Sequence, residues 1–280
     1  MKILVIGDPI IDRYTTGNVN RMSPEDETVP VLDVISEKII LGGCLNVAVN
    51  LKSLNPQNDI FVAAPMSGWT IAELICMDVS NVIEQIFSSP WTPALGEMVK
   101  HRVIDKKTNK QLVRVDNNLK FDPFVIGAFK RSFSCIQVDN FDCIVISDYE
   151  KGCVGWFVVD KLKGLGCPIF IDTKKKDLSM WKDLDNAVIK INWNEFENAQ
   201  HTNQIKDLIV THGEKPVQLR KCDQLVRQFK VRPAKDPNPI GAGDVFLASL
   251  VTDYLRSQNL EDAIEFAIKT TGKSVEGKNT

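Results

Sequence analysis

Pro239-Ile240-Gly241-Ala242-Gly243-Asp244-Val245-Phe246 is the stretch on which the reading of this chain turns. Two glycines around one alanine let the backbone turn tightly and approach a ligand with no Cβ in the way. From Gly243 onward Phe246, Leu250 and Tyr254 recur every four residues, as do Leu247, Val251 and Leu255. That makes one broad apolar helical stripe. The first N–H groups of this helix face the loop, backed by the positive end of the helix dipole, and form an anion site. A carboxylate repels an anion, so Asp244 is out of place if anion binding is the only task. It fits as a base that takes the proton of an attacking hydroxyl while the amides hold the charge of a transferring phosphoryl group. Alone, the tetrapeptide reads equally well as a capped helix after a glycine turn. The rest of the chain has to decide.

Short apolar runs alternate with helical patterns on the amino-terminal side of this loop. Runs at 3–6, 60–63, 143–146, 168–171, 187–191 and 208–210 read as strands, and stretches at 43–54, 122–134, 153–163 and 194–200 read as helices. Strands separated by helices predict an α/β fold, a mostly parallel central sheet with helices on both faces. Ligands then gather beyond the carboxyl ends of the strands. Residues 14–36 and 97–115 break the pattern. Val29 to Leu32, and the alternation of Val99, His101 and Val103 with Val113 and Val115, predict extended strands outside the main sheet, a small β-lid. After the loop's helix, Leu260, Ala263, Ile264, Ala267 and Ile268 predict a second one.

The 280 residues suit one large α/β domain spanning 1–280. A composition of 44% hydrophobic and 25% charged residues, with a formal net charge of −2, gives no electrostatic reason to expect nucleic acid or a membrane surface. The run Met1 to Ile6 stops at Gly7-Asp8-Pro9, too short for a signal peptide or a spanning helix. Seven cysteines without CxxC spacing predict buried, reduced thiols in a cytoplasmic protein. Three scattered histidines offer little for zinc.

Gly241-Ala242-Gly243-Asp244 resembles the signature of PfkB/ribokinase-type carbohydrate kinases, in which the Asp is the catalytic base and the glycine loop the anion hole. Other segments are similar to the same family. Gly42-Gly43-Cys44-Leu45-Asn46 resembles its paired-glycine sugar-binding segment, and Gly7 with Asp12 its first-strand loop, whose Asp binds sugar hydroxyls. Asn192-Trp193-Asn194-Glu195 resembles the NxxE element that helps organise Mg²⁺ and phosphate, and Thr211 to Gly213 the nucleotide strand. The resemblance runs from about residue 1 to residue 272. It implies a ribokinase-like fold, ATP and Mg²⁺, an indirect metal role for Glu195, a monovalent cation near the carboxyl-terminal region, and a homodimer.

A narrower resemblance lies in Gly7 to Tyr14, Arg21-Met22-Ser23-Pro24-Glu25, Gln111 to Asp116, Ser147-Asp148-Tyr149-Glu150-Lys151-Gly152 and Ile171-Asp172-Thr173-Lys174. These look like the kinase domain of ADP-heptose synthesis enzymes. They imply phosphorylation of the anomeric hydroxyl of D-glycero-D-manno-heptose 7-phosphate, with Asp148 and Lys151 among the substrate-binding residues. Arg21, Lys100, Arg102, Arg114, Lys151 and Lys174 are candidate donors to a phosphate already on the sugar, with Arg21, Arg102 and Lys174 preferred. The second, nucleotidyltransferase domain of bifunctional members carries His-x-Gly-His, a motif missing from this sequence. Any adenylyl transfer is therefore expected from another protein.

The sequence departs from the family at Ile240, where Thr is common, at Asn238 between Pro237 and Pro239, and at Lys215-Pro216, where a second glycine is usual. All three bear on the nucleotide. A PfkB-type kinase for another sugar, and a sugar-phosphate-binding scaffold without catalysis, therefore stand beside the heptose-phosphate kinase. A NAD-dependent enzyme is disfavoured, because Gly7-Asp8-Pro9 stands where GxGxxG would follow the first strand.

Overall fold

The computed structural model describes residues 1–77, 79–88, 98–117, 120–234 and 240–277. Its first strand, β1 (Lys2–Gly7), shows why the sheet must be covered twice. Ile3 and Val5 enter one apolar cluster, Leu4 and Ile6 the other, and all four are fully buried. The chain continues through β2 (Pro9–Met22), β3 (Pro30–Gly43), α1 (Cys44–Leu54), β4 (Asp59–Ala63), α2 (Gly68–Cys76), β5 (Gln85–Phe87), β6 (Met98–Asp105) and β7 (Lys110–Asp116). It then passes through α3 (Pro123–Ser134), β8 (Cys143–Asp148), α4 (Trp156–Leu162), β9 (Ile169–Thr173), β10 (Ala187–Asn192) and α5 (Trp193–Asn198). Last come β11 (Asp207–His212), β12 (Lys215–Lys221), β13 (Gln224–Phe229), α6 (Ala242–Ser257) and α7 (Leu260–Val275).

Nine strands form the main sheet in the order β13-β12-β11-β10-β9-β8-β1-β4-β5. It is parallel from β5 to β11, and the β12–β13 hairpin adds an antiparallel edge. Helices α1, α2, α6 and α7 supply the apolar residues on one face, and α3 and α4 those on the other. The strand order reverses between β1 and β8, which opens a crevice at their carboxyl ends.

The lid is a separate four-stranded sheet, β3-β2-β6-β7, with β2 and β6 parallel at its centre. It is larger than the expected 14–36 and 97–115. β2 and β3 run 14 residues each, from Pro9 to Gly43, because the ladder continues through a bulge at Thr16/Gly17. Glu97 lies outside the described residues.

Every expected strand and helix is present, but the helix expected over 153–163 starts only at Trp156, after Gly155. The elements α2, β5, β12 and β13 had no counterpart in the sequence reading. Cys44, Cys143 and Cys153 are buried as expected. Cys76, Cys135 and Cys222 are exposed, because each lies at an element end or turn, outside the apolar runs. Among the described residues no helix is long and apolar enough to cross a membrane.

Candidate active site

Gly241 opens α6 with φ +75, a left-handed backbone in which a Cβ would stand 3.0 Å from Asn46 Nδ2. Glycine is needed there for both reasons. The turn it makes presents Asp244 in the first turn of α6, 4% exposed. Asn46 Nδ2 donates to its Oδ2 at 2.7 Å and the Tyr149 hydroxyl to its Oδ1 at 3.1 Å. Asn46 is itself held by Asn50 Nδ2, which donates to its Oδ1 at 3.0 Å. Burial pushes the Asp244 carboxyl up to about 6, with Asp172 adding to the rise, against the bonds from Asn46 and Tyr149 and the charge of Lys190. Asp244 is thus ionised near neutrality yet more basic than an ordinary carboxylate, which suits a general base.

Behind the glycine loop lies a buried ion pair. Lys190 Nζ donates to Asp172 Oδ2 at 2.7 Å, and a Cβ on Gly243 would meet Lys190 Nζ at 3.1 Å. A cavity of about 240 Å³ opens beside Gly243, walled by Lys190, Thr211, Gly213, Phe246 and Ile268. Thr211 and Gly213, expected at the nucleotide, are therefore brought to the glycine loop. Ile240 is exposed at the turn before Gly241. Pro237, Asn238 and Pro239 lie outside the described residues.

On the other side of Asp244, Gly42 and Gly43 join the lid to α1. Gly43 has φ +57, and a Cβ there would stand 2.3 Å from the main-chain oxygen of Asp8, so no other residue fits. The carboxylate of Asp12 packs close to Gly42. It is buried, and its Oδ1 accepts no hydrogen bond among the described residues, with Arg102 Nη2 at 3.7 Å. An unpartnered buried acceptor suits a sugar hydroxyl. The ladder sets Lys100 beside Asp12 and Asp116, and Arg102 beside Tyr14 and Arg114, all on one lid face. Arg114 forms a two-bond fork with Asp116, at 2.6 and 2.7 Å, which holds the Asp116 carboxyl below its usual range.

Several expected residues are engaged within the chain itself or lie away from Asp244. Arg21 is exposed at the far end of β2, nine residues beyond Asp12, roughly 30 Å along an extended strand. The structure does not bring it to the site. Asn192 and Glu195 form a capping box for α5: Asn192 Oδ1 accepts from the Glu195 N–H at 3.0 Å and Glu195 Oε2 from the Asn192 N–H at 2.7 Å. Glu195 Oε1 is bound by Lys174 Nζ, so neither oxygen of Glu195 is unengaged. Burial alone would lower the Lys174 ammonium, but Asp172, Glu195 and Asp244 more than offset it. Asp148 ties three neighbours together, accepting from the Glu150 N–H, Thr173 Oγ1 and Lys175 Nζ. Its part is to fix the strand ends. Lys151 enters through its main chain, donating to Asp8 Oδ2 at 3.2 Å.

Asp8, Tyr149, Asp172 and Lys190 were not among the expected site residues. Asp8 is fully buried at the reversal of strand order and accepts from the N–H groups of Tyr149, Lys151 and Cys153. Burial, then the charge of Asp148, raises its carboxyl to about 6. Among the described residues no three His, Cys, Asp or Glu side chains form a group able to cage a metal ion.

Residues 165–280 match the pfkB family carbohydrate kinase. The bifunctional protein HldE of Helicobacter acinonychis is 32% identical over 299 residues, covering 95% of this chain and 61% of that protein. HldE of Hydrogenovibrio crunogenus is 28% identical over 290 residues, covering 95% and 57%. The chain thus spans about 60% of the length of the curated relatives it matches. A ribokinase from Thermotoga maritima has a TM-score of 0.69 at 16% identity, over 98% of this chain and 92% of that one. The tetrameric inhibited form of phosphofructokinase-2 from Escherichia coli has a TM-score of 0.72 at 16% identity, over 99% and 95%. Such identities speak for the fold. The segment from Gly241 to Asp244 lies inside the residues that match the pfkB family carbohydrate kinase, and the chain has a ribokinase-like α/β fold.

Proposed function

We propose that the chain acts as one kinase domain that transfers the terminal phosphoryl group of ATP to the anomeric hydroxyl of D-glycero-D-manno-heptose 7-phosphate. The observation that carries this reading is the position of Asp244. A buried carboxylate, raised to about 6, stands between a cavity at the glycine loop and a lid face carrying Lys100, Arg102 and Asp12, whose Oδ1 accepts no hydrogen bond among the described residues. The likeness to HldE over 95% of the chain supports the heptose phosphate as acceptor.

The donor fits the residues present. The cavity is largely apolar where a base would lie and meets the α6 amides where phosphates would lie. Mg²⁺ fits only as an ion carried by the donor's phosphates, since it keeps most of its waters and needs few protein ligands. It would neutralise charge on the phosphates. Asp12 orients the sugar hydroxyls and Arg102 the distal phosphate. Asp244 takes the proton of the attacking hydroxyl as its oxygen bonds to phosphorus and the diphosphate departs with the electron pair. The N–H groups at the start of α6 and the Lys190 ammonium receive the charge on the phosphoryl oxygens.

The lid supports a homodimer. Its other face and edges expose Val34, Ile35, Leu112, Val113 and Val115.

The test is ATP- and Mg²⁺-dependent turnover on the heptose 7-phosphate beside ribose, fructose and fructose 6-phosphate. Turnover on the heptose phosphate alone is expected. A clear preference for an unphosphorylated sugar would remove the assignment, and binding of the heptose phosphate without ATP binding would favour a scaffold.

A further inference from the structure

The candidate base is held by a residue outside both the glycine loop and the paired-glycine segment. Tyr149 follows β8 directly. Its N–H donates to Asp8 Oδ2 at 2.7 Å, and its hydroxyl donates to Asp244 Oδ1 at 3.1 Å. Two ammonium groups lie over its ring, Lys100 Nζ from the lid at 5.4 Å from the centroid and Lys174 Nζ at 5.5 Å. The residue is therefore fixed at its main chain, its ring and its hydroxyl. Burial, then the charges of Asp244 and Asp172, pushes the phenol well above its ordinary range. It keeps its proton wherever the protein is folded and active, so it can only donate to the carboxylate.

We propose that Tyr149 is a positioning residue for phosphoryl transfer, whose hydroxyl orients the Asp244 carboxylate and keeps it ionised in a buried site. The proposal rests on the reading of Asp244 as the base. A desolvated carboxylate needs donors to stay charged. The groups facing Asp244 are Asn46 and the Cys44 thiol from α1, Asp172 from β9, Lys174 just beyond it, Lys190 from β10 and Tyr149 from the loop after β8. Asp172 works against ionisation, while Lys190, Asn46 and Tyr149 work for it. Tyr149 and Asn46 hold opposite oxygens of the carboxylate. Together they fix its orientation, and lone pairs on both oxygens remain for an acceptor hydroxyl.

Tyr149→Phe removes one oxygen and leaves the ring under its two ammonium groups. The acid limb of the kcat profile, expected near pH 6, should rise by roughly 0.5–1 unit. Turnover above pH 8 should fall roughly tenfold through lost orientation, with the acceptor KM changed less than about twofold. Carbon-13 titration of the aspartate carboxyl carbons in ligand-free protein, with the Asp244 signal identified by Asp244→Asn, gives a readout independent of turnover. A raised Asp244 midpoint together with a raised acid limb is the expected result. An unchanged midpoint in the Phe variant overturns the proposal. A raised midpoint in a chain without kinase turnover keeps the hydrogen bond but removes Asp244 as base, and the positioning role goes with it.

Discussion

β8 in the main sheet is buried along its whole length, whereas β7 in the lid is exposed at every residue but the last. Both strands carry acidic residues to the site, in opposite surroundings. Asp148 at the end of β8 is gripped by a main-chain N–H, a hydroxyl and an ammonium. The Arg114–Asp116 pair of β7 is partly open to solvent. Charges at the main-sheet end are few, desolvated and held by several partners, so each matters strongly. Charges on the lid are more numerous and better screened. In the proposed function that difference divides the labour: proton transfer falls to the buried end, recognition of the acceptor to the lid.

The largest effect should come from Asp244→Asn, the sharpest way to break that division. Turnover is expected to fall roughly 10²–10⁴-fold with acceptor binding kept. Stability should move the other way. The folded carboxyl ionises at about 6 against an ordinary value of 3.8, so its favourable contribution is complete below pH 3.8 and is lost as pH rises through about 6. The amide carries no such cost, and roughly 1–3 kcal/mol should be gained at pH 8 and nothing at pH 3.5. Urea unfolding at the two pH values checks the sign, and a less stable variant at pH 8 would refute the account of Asp244 as a strained charge.

Arg102→Ala probes the lid side and should act more gently. The acceptor KM is expected to rise roughly 10–100-fold, the worth of one hydrogen bond to a charged group, with kcat nearly unchanged. A dephosphorylated acceptor should show no such loss. An equal penalty for both acceptors would mean that Arg102 serves Asp12 and not the phosphate. The smallest expected change is at the outer edge: Val113→Asp should halve the mass seen by light scattering while leaving turnover within about twofold. A monomeric parent protein would remove the lid as a dimer surface.

The part of the site that was legible before the fold lies in consecutive residues. Gly241 to Asp244 announces itself locally, because a tight turn into a helix demands glycine, whereas Gly42-Gly43 and Asn46 were found through the family resemblance. The remaining partners that tune the base do not announce themselves in this way. Tyr149 and Asp244 are 95 residues apart, and Lys190 meets Asp172 across neighbouring strands. A lysine inside the apolar run Ala187 to Ile191 was the available signal, since a buried ammonium requires a counter-charge. Arg21 was preferred because its segment resembles the family's, a likeness that carries no distance, and β2 proved long and extended. The β12–β13 hairpin escaped notice because its turn, Cys222-Asp223, is left-handed at both residues without the usual Asn-Gly.

The hydrogen bond from Asn46 to Asp244 joins residues 198 apart in the chain. Closing so distant a loop costs entropy that is recovered only when the strands between them have paired. In a chain made from its amino terminus, Asn46 within α1 is present well before most strands of the main sheet and before Asp244. The carboxylate that it will hold emerges late and loses its water only when α6 docks on α1. A chain that stops before α6 therefore lacks both the carboxylate and the buried setting that raises it.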